Sequence, residues 1–97
     1  MIDEILGKMD DMRDEVAKVC SDLVKIPTPN PPGETGECVQ YIKEYFEDLG
    51  IPSKIYERTR GKANISVRIE GGGGGVILWF GHLDVVPEGD RNLWEHD

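Results

Sequence analysis

Apolar residues in the first quarter of the chain recur at steps of three and four: Ile2, Ile5, Leu6, Met9, Met12, Val16, Val19, Cys20, Leu23 and Val24, with charged residues between them. Side chains at such spacing share one face of a helix, so the pattern predicts a single amphipathic helix over residues 2 to about 26. Pro27 ends it, because a proline pushes the residue before it, here Ile26, out of helical geometry. Prolines at 27, 29, 31 and 32 then predict a stiff, extended connector that costs little entropy to order. A second stripe, Val39, Ile42, Tyr45, Phe46 and Leu49, predicts a helix over residues 35–49. Gly50 suits the left-handed position just past its end, and Pro52 prevents continuation.

The period then changes. Residues 53–58 and 64–70 alternate in part around a turn at Gly61, and residues 76–80 are continuously apolar, which suits a strand buried on both faces. The five glycines at 71–75 lie between strand candidates. A phosphate-binding loop would need a helix directly after the glycines, and a P-loop also a Lys-Ser or Lys-Thr pair. A strand follows and the lysine is missing, so a flexible turn is the better reading.

Composition narrows the class. At 97 residues, 38% apolar and 31% charged, the chain holds one small soluble domain somewhat poor in core formers. A formal charge of -8 argues against nucleic acid and anionic membrane surfaces as partners, since both require clustered Lys and Arg. The acids of the first 22 residues read as a solvated helix face. No basic, apolar signal sequence opens the chain, and no apolar run is long enough to span a bilayer. Cys20 and Cys38 fit neither a CxxC motif nor a disulfide framework, so both are expected to be buried, reduced thiols in a cytoplasmic protein.

Chemistry concentrates after the third strand candidate. Gly81 permits a tight turn, and His82 and Asp84 follow, placed where ligand sites collect at the carboxyl ends of strands. In near-extended backbone, positions i and i+2 share a face, so the Asp84 carboxylate can reach the His82 ring. A metal-binding imidazole offers one nitrogen to the ion and donates its other N–H to such a carboxylate. His82 is therefore a candidate zinc ligand and Asp84 its orienting partner, although a bare His-x-Asp also suits an ordinary surface turn. His96 reads as a surface residue, and Glu88 and Asp90 as turn residues.

The longer string Gly81-His82-Leu83-Asp84-Val85-Val86-Pro87-Glu88-Gly89-Asp90, with Trp94 after it, resembles the first metal signature of the zinc amidohydrolases that include acetylornithine deacetylase, succinyl-diaminopimelate desuccinylase and carboxypeptidase (peptidase family M-twenty). The loop Ile26-Pro27-Thr28-Pro29-Asn30-Pro31-Pro32-Gly33-Glu34 and the helix ending in Leu49-Gly50 are similar as well. The resemblance implies an α/β fold. Residues 1–97 would be the N-terminal portion of a zinc-exopeptidase-like catalytic domain, two helices followed by about three strands of a mixed sheet, without the lid domain and second half. It implies a metal-dependent hydrolase that cleaves the amide bond of N-acyl amino acids or small peptides. In that family two zinc ions, cobalt in some members, activate the attacking water, a Glu serves as general base, and the complete enzyme can be a homodimer. Carried over, His82 matches a ligand to one zinc and Asp84 the aspartate that hydrogen-bonds it and is often named catalytic. The other ligands and the general base match nothing in these residues, so the chain alone is expected to bind zinc weakly and to be inactive. The alternative is a small non-catalytic binding or structural domain that keeps the motif by descent.

Overall fold

A computed structural model describes residues 1–96. It is built from three helices and one hairpin: α1 (Ile2–Asp11), α2 (Arg13–Lys25), α3 (Gly36–Asp48), β1 (Ser53–Thr59) and β2 (Lys62–Val67), with a short 3-10 turn at Arg91–Leu93. Asp97 lies outside the described residues.

The long N-terminal helix is present but interrupted once. At Met12 (φ -89°, ψ 0°) the backbone N–H is shared between the carbonyls of Lys8 and Met9, a local tightening, and the helix resumes at Arg13. Two like-charge i,i+4 pairs, Asp10 with Asp14 and Asp11 with Glu15, straddle this point. Each weakens a helix by about 0.2–0.5 kcal/mol. Ile26 is extended (φ -84°, ψ 116°), as Pro27 requires.

α3 ends as its sequence predicts. Gly50 has φ +74°, its N–H donates to Glu47 O at 2.8 Å, and the Ile51 N–H donates to Phe46 O at 2.9 Å. This pair of bonds satisfies the last carbonyls of the helix, and the positive φ explains the glycine. At the other end Thr35 spends its hydroxyl on the hairpin rather than on the helix, donating to Ala63 O at 2.7 Å, while its N–H donates to Gly61 O at 2.9 Å. These bonds fasten α3 to β2.

β1 and β2 pair antiparallel, with Ile55 opposite Ile65 and an irregularity between Tyr56 and Thr59. Gly61 turns the chain at φ +82°. The core is thin: Cys38, Val39 and Ala63 are its buried hydrophobic residues.

Two expectations are corrected. Residues 76–80 form no strand: they pair with neither β1 nor β2, and their exposure runs from 82% to 93%. A central strand is held by hydrogen bonds from neighbours on both sides, and the described residues place none there; an open groove of about 550 Å³ separates residues 78–84 from β2. The sheet is accordingly two-stranded and antiparallel rather than mixed, and the glycines at 71–75 lead into an unpaired segment instead of a third strand. The second correction concerns the thiols. Cys38 is buried, and burial raises its pKa, but Cys20 is exposed because its side of α2 has nothing packed over it.

Candidate functional site

The candidate site is a turn held by a loop. Residues 28–30 lie alongside residues 83–85 through one parallel bridge, Pro29 to Val85. The Val85 N–H donates to Thr28 O at 3.0 Å and the Asn30 N–H donates to Val85 O at 2.8 Å. Thr28, itself buried, donates its hydroxyl to Leu83 O at 2.7 Å. The proline-rich stretch that reads as a connector is therefore also the support of the His-x-Asp turn.

His82 and Asp84 meet on this turn. His82 Nδ1 lies 2.8 Å from the Asp84 backbone carbonyl and 3.3 Å from the Asp84 carboxylate oxygen Oδ1. The shorter contact, to the carbonyl, is the principal hydrogen bond, and the carboxylate sits beside it. A carbonyl oxygen only accepts, so Nδ1 carries a proton, and in the neutral ring Nε2 is then the nitrogen with the lone pair. The imidazole side chain is 83% exposed, so that lone pair faces solvent and is available to a ligand.

Asp84 is 35% exposed and makes a second contact, accepting from Asn30 Nδ2 at 2.9 Å through Oδ2. This amide donor, above all, holds the Asp84 carboxyl below the usual carboxylate range. Its own backbone N–H and His82 add to the effect, and partial desolvation opposes it. Asn30 and Thr28 were not among the residues singled out by sequence, because their contacts span 54 and 55 positions.

Glu88 and Asp90 behave as turn residues. Glu88 pairs with Arg91 at 3.1 Å and accepts the Trp94 indole N–H on its backbone carbonyl at 3.0 Å. Asp90 caps the 3-10 turn by accepting from the Asn92 N–H at 2.9 Å. His96 is exposed. Among the described residues no group of three His, Cys, Asp or Glu side chains is placed to hold a metal ion. A zinc site wants about three protein ligands. His82 fits as one ligand, and the described residues do not complete a centre.

Comparison with known proteins follows the same line. A probable succinyl-diaminopimelate desuccinylase from Staphylococcus epidermidis is 33% identical over 90 residues, 93% of this chain and 20% of the relative. An N-formyl-4-amino-5-aminomethyl-2-methylpyrimidine deformylase from Halalkalibacterium halodurans is 27% identical over 99 residues, covering 98% of this chain and 23% of its own length. A succinyl-diaminopimelate desuccinylase from Legionella pneumophila is 26% identical over 83 residues, 86% and 21% of the two chains. The chain thus spans about a fifth of the length of the curated relatives it matches. No family model and no solved structure matches it. The relatives, desuccinylases and a deformylase by name, point to the M-twenty amidohydrolase family.

Proposed function

We propose that this chain is the N-terminal portion of a zinc-dependent amidohydrolase, with cobalt as an alternative metal, acting on the amide bond of an N-acyl amino acid or small peptide. His82 is one metal ligand and Asp84 sets its orientation. The observation that carries the reading is the commitment of His82 Nδ1 to Asp84, which leaves an exposed Nε2 lone pair. That is the arrangement a metal-binding imidazole uses. The similarity to desuccinylases and a deformylase supports the acyl-group chemistry. The remaining ligands and the general base belong to sequence outside these residues, and the 97-residue chain by itself is inactive. Free Cys20 and Cys38 support a reducing, cytoplasmic setting.

A chimera tests this. The chain replaces the matching segment of the Staphylococcus epidermidis relative, and hydrolysis of N-succinyl-diaminopimelate is measured with and without a chelator. The expected result is chelator-sensitive turnover that His82→Ala abolishes. Asp84→Asn is expected to leave metal partly bound and to slow turnover about 10- to 100-fold, the usual cost of losing a ligand's partner. Undiminished turnover in the His82→Ala chimera would reject the assignment. The second reading is a non-catalytic domain that keeps the motif by descent. It predicts a folded but inactive chimera.

A further inference from the structure

The loop that follows α2 does more than set the path of the chain. Of its four hydrogen bonds to residues 83–85, three engage backbone atoms of that turn. The fourth, from Asn30 Nδ2 to Asp84 Oδ2, reaches a side chain of the candidate site. An ionised carboxylate accepts and does not donate, so the amide nitrogen of Asn30 must be the atom that faces it. Hydrogen bonds to an ionised acceptor are the stronger kind.

The two oxygens of Asp84 are divided between two partners. Oδ2 is on Asn30, and Oδ1 faces His82 Nδ1. Pinning one oxygen stops the carboxylate from rotating and holds the other toward the ring. Gly33 is shaped around the same amide. It is buried at φ +72°, its N–H donates to Pro29 O at 2.8 Å, and a Cβ there would lie 3.0 Å from Asn30 Cγ. The turn at Gly33 therefore leaves room for Asn30 in the rotamer that meets Asp84.

The geometry assigns Asn30 as a positioning residue for the His82–Asp84 pair, holding one carboxylate oxygen so that the other stays beside the imidazole, 3.3 Å from Nδ1. This rests on the reading of His82 as a metal ligand.

The test is NMR on the full, isotope-labelled 97-residue chain, with cobalt(II) as the probe. The wild type is expected to show one Asp84 rotamer in its three-bond couplings, slowly exchanging Asn30 side-chain amide protons, and selective broadening of the His82 ring by cobalt(II). Asn30→Ala and Asn30→Leu are both expected to average the Asp84 couplings. Both should raise the cobalt(II) concentration that half-broadens His82 about 10-fold, the lower end of such losses. Asn30→Leu is close to Asn in shape against Gly33, adds no charge and lacks the donor, so a role in packing alone would leave it at wild-type values. Wild-type couplings and cobalt(II) response in Asn30→Leu would overturn the assignment. Should the Asn30 variants not fold, Asp84→Ala probes the pair from the other side. Loss of slow exchange at the Asn30 amide supports the assignment, and unchanged exchange overturns it. A His82 ring that stays sharp in cobalt(II) while Asn30 still governs the Asp84 rotamer rejects the ligand reading alone and supports the link from Asn30 to Asp84.

Discussion

A single methyl group at position 33 separates two effects that the site combines. Gly33 has φ +72°, where any L side chain meets the following carbonyl, at a cost of about 1–2 kcal/mol. Its missing Cβ also leaves the Asn30 amide its place, since a Cβ there would press on Asn30 Cγ at 3.0 Å. Gly33→Ala should therefore destabilise the chain by about 1–2 kcal/mol in urea denaturation and displace Asn30 from Asp84. Gly36, at the start of α3 with no atom near its would-be Cβ and an ordinary φ, is the control. Gly36→Ala should be neutral or gain about 0.4–1 kcal/mol, because it restricts only the unfolded chain. Equal losses in the two variants would show that Gly33 has no special role. At this scale the sequence was informative about neighbours and silent about distant partners. The i, i+2 spacing of His82 and Asp84 correctly implied that they meet, although the closer acceptor is the Asp84 carbonyl, which no side-chain pattern encodes. Thr28 and Asn30 carry no local signal, because a polar residue in a proline-rich loop looks the same whether it faces water or a partner more than 50 positions away.

Helices were legible wherever their own sequence determines them. The proline stop after α2 and the glycine stop after α3 follow from local backbone chemistry, and both stand where expected. What joins the helices to each other was not legible. α2 and α3 flank an open apolar groove of about 320 Å³ lined in part by Val16, Val19, Leu23, Ile42 and Phe46. Two of its lining tyrosines bridge the helices, Tyr41 donating to Asp22 at 2.8 Å and Tyr45 donating to Glu15 at 2.5 Å. Hydrogen bonding to Asp22 raises the Tyr41 pKa, and bonding to Glu15 raises that of Tyr45. Asp22 is lowered, first by Lys18 and then by Tyr41. The signs define a window. A depressed carboxylate gives stability above its unfolded pKa, and this is lost as pH falls through the folded value. A raised phenol gives stability below its unfolded pKa, and this is lost as pH rises through the folded value. The contact between α2 and α3 should thus be firmest between the carboxylate and phenol ranges and loosen at both ends. An absorbance titration should find Tyr41 and Tyr45 ionising above the ordinary tyrosine range, with Asp22→Ala returning Tyr41 toward it. Identical titrations in wild type and Asp22→Ala would exclude the bond.

The whole molecule is held by few buried contacts for its length. The radius of gyration is 16.3 Å, against about 13 Å for a closed domain of this size. The shortfall has two sources. The apolar stripe of α1 and α2 is exposed along much of its length, with Ile2, Met9, Val16 and Val24 all at least 60% accessible, and residues 76–80 are nearly bare. Spacing in the first case and a continuous apolar run in the second identified both as surfaces to be buried, from residue type alone. Periodicity does not say which element does the burying, and a strand needs a partner backbone that these residues do not provide. An uncovered apolar stripe and an unpaired apolar segment on one small chain are the features that promote association. Trp79 reports on the second, being 89% exposed. In dilute solution its emission should be that of a hydrated indole, freely quenched by acrylamide. As concentration rises into the micromolar range, light scattering should show self-association and the Trp79 emission should move to shorter wavelength and lose its quenching. Replacing Ile77 and Leu78 with lysine should suppress both changes while leaving the α3–hairpin contact intact, because both residues are 82% exposed and belong to none of the elements that make that contact. A chain that stays monomeric with quenchable Trp79 at all concentrations would mean that residues 76–80 find cover within the chain itself, and the unpaired segment would have to be redrawn as packed.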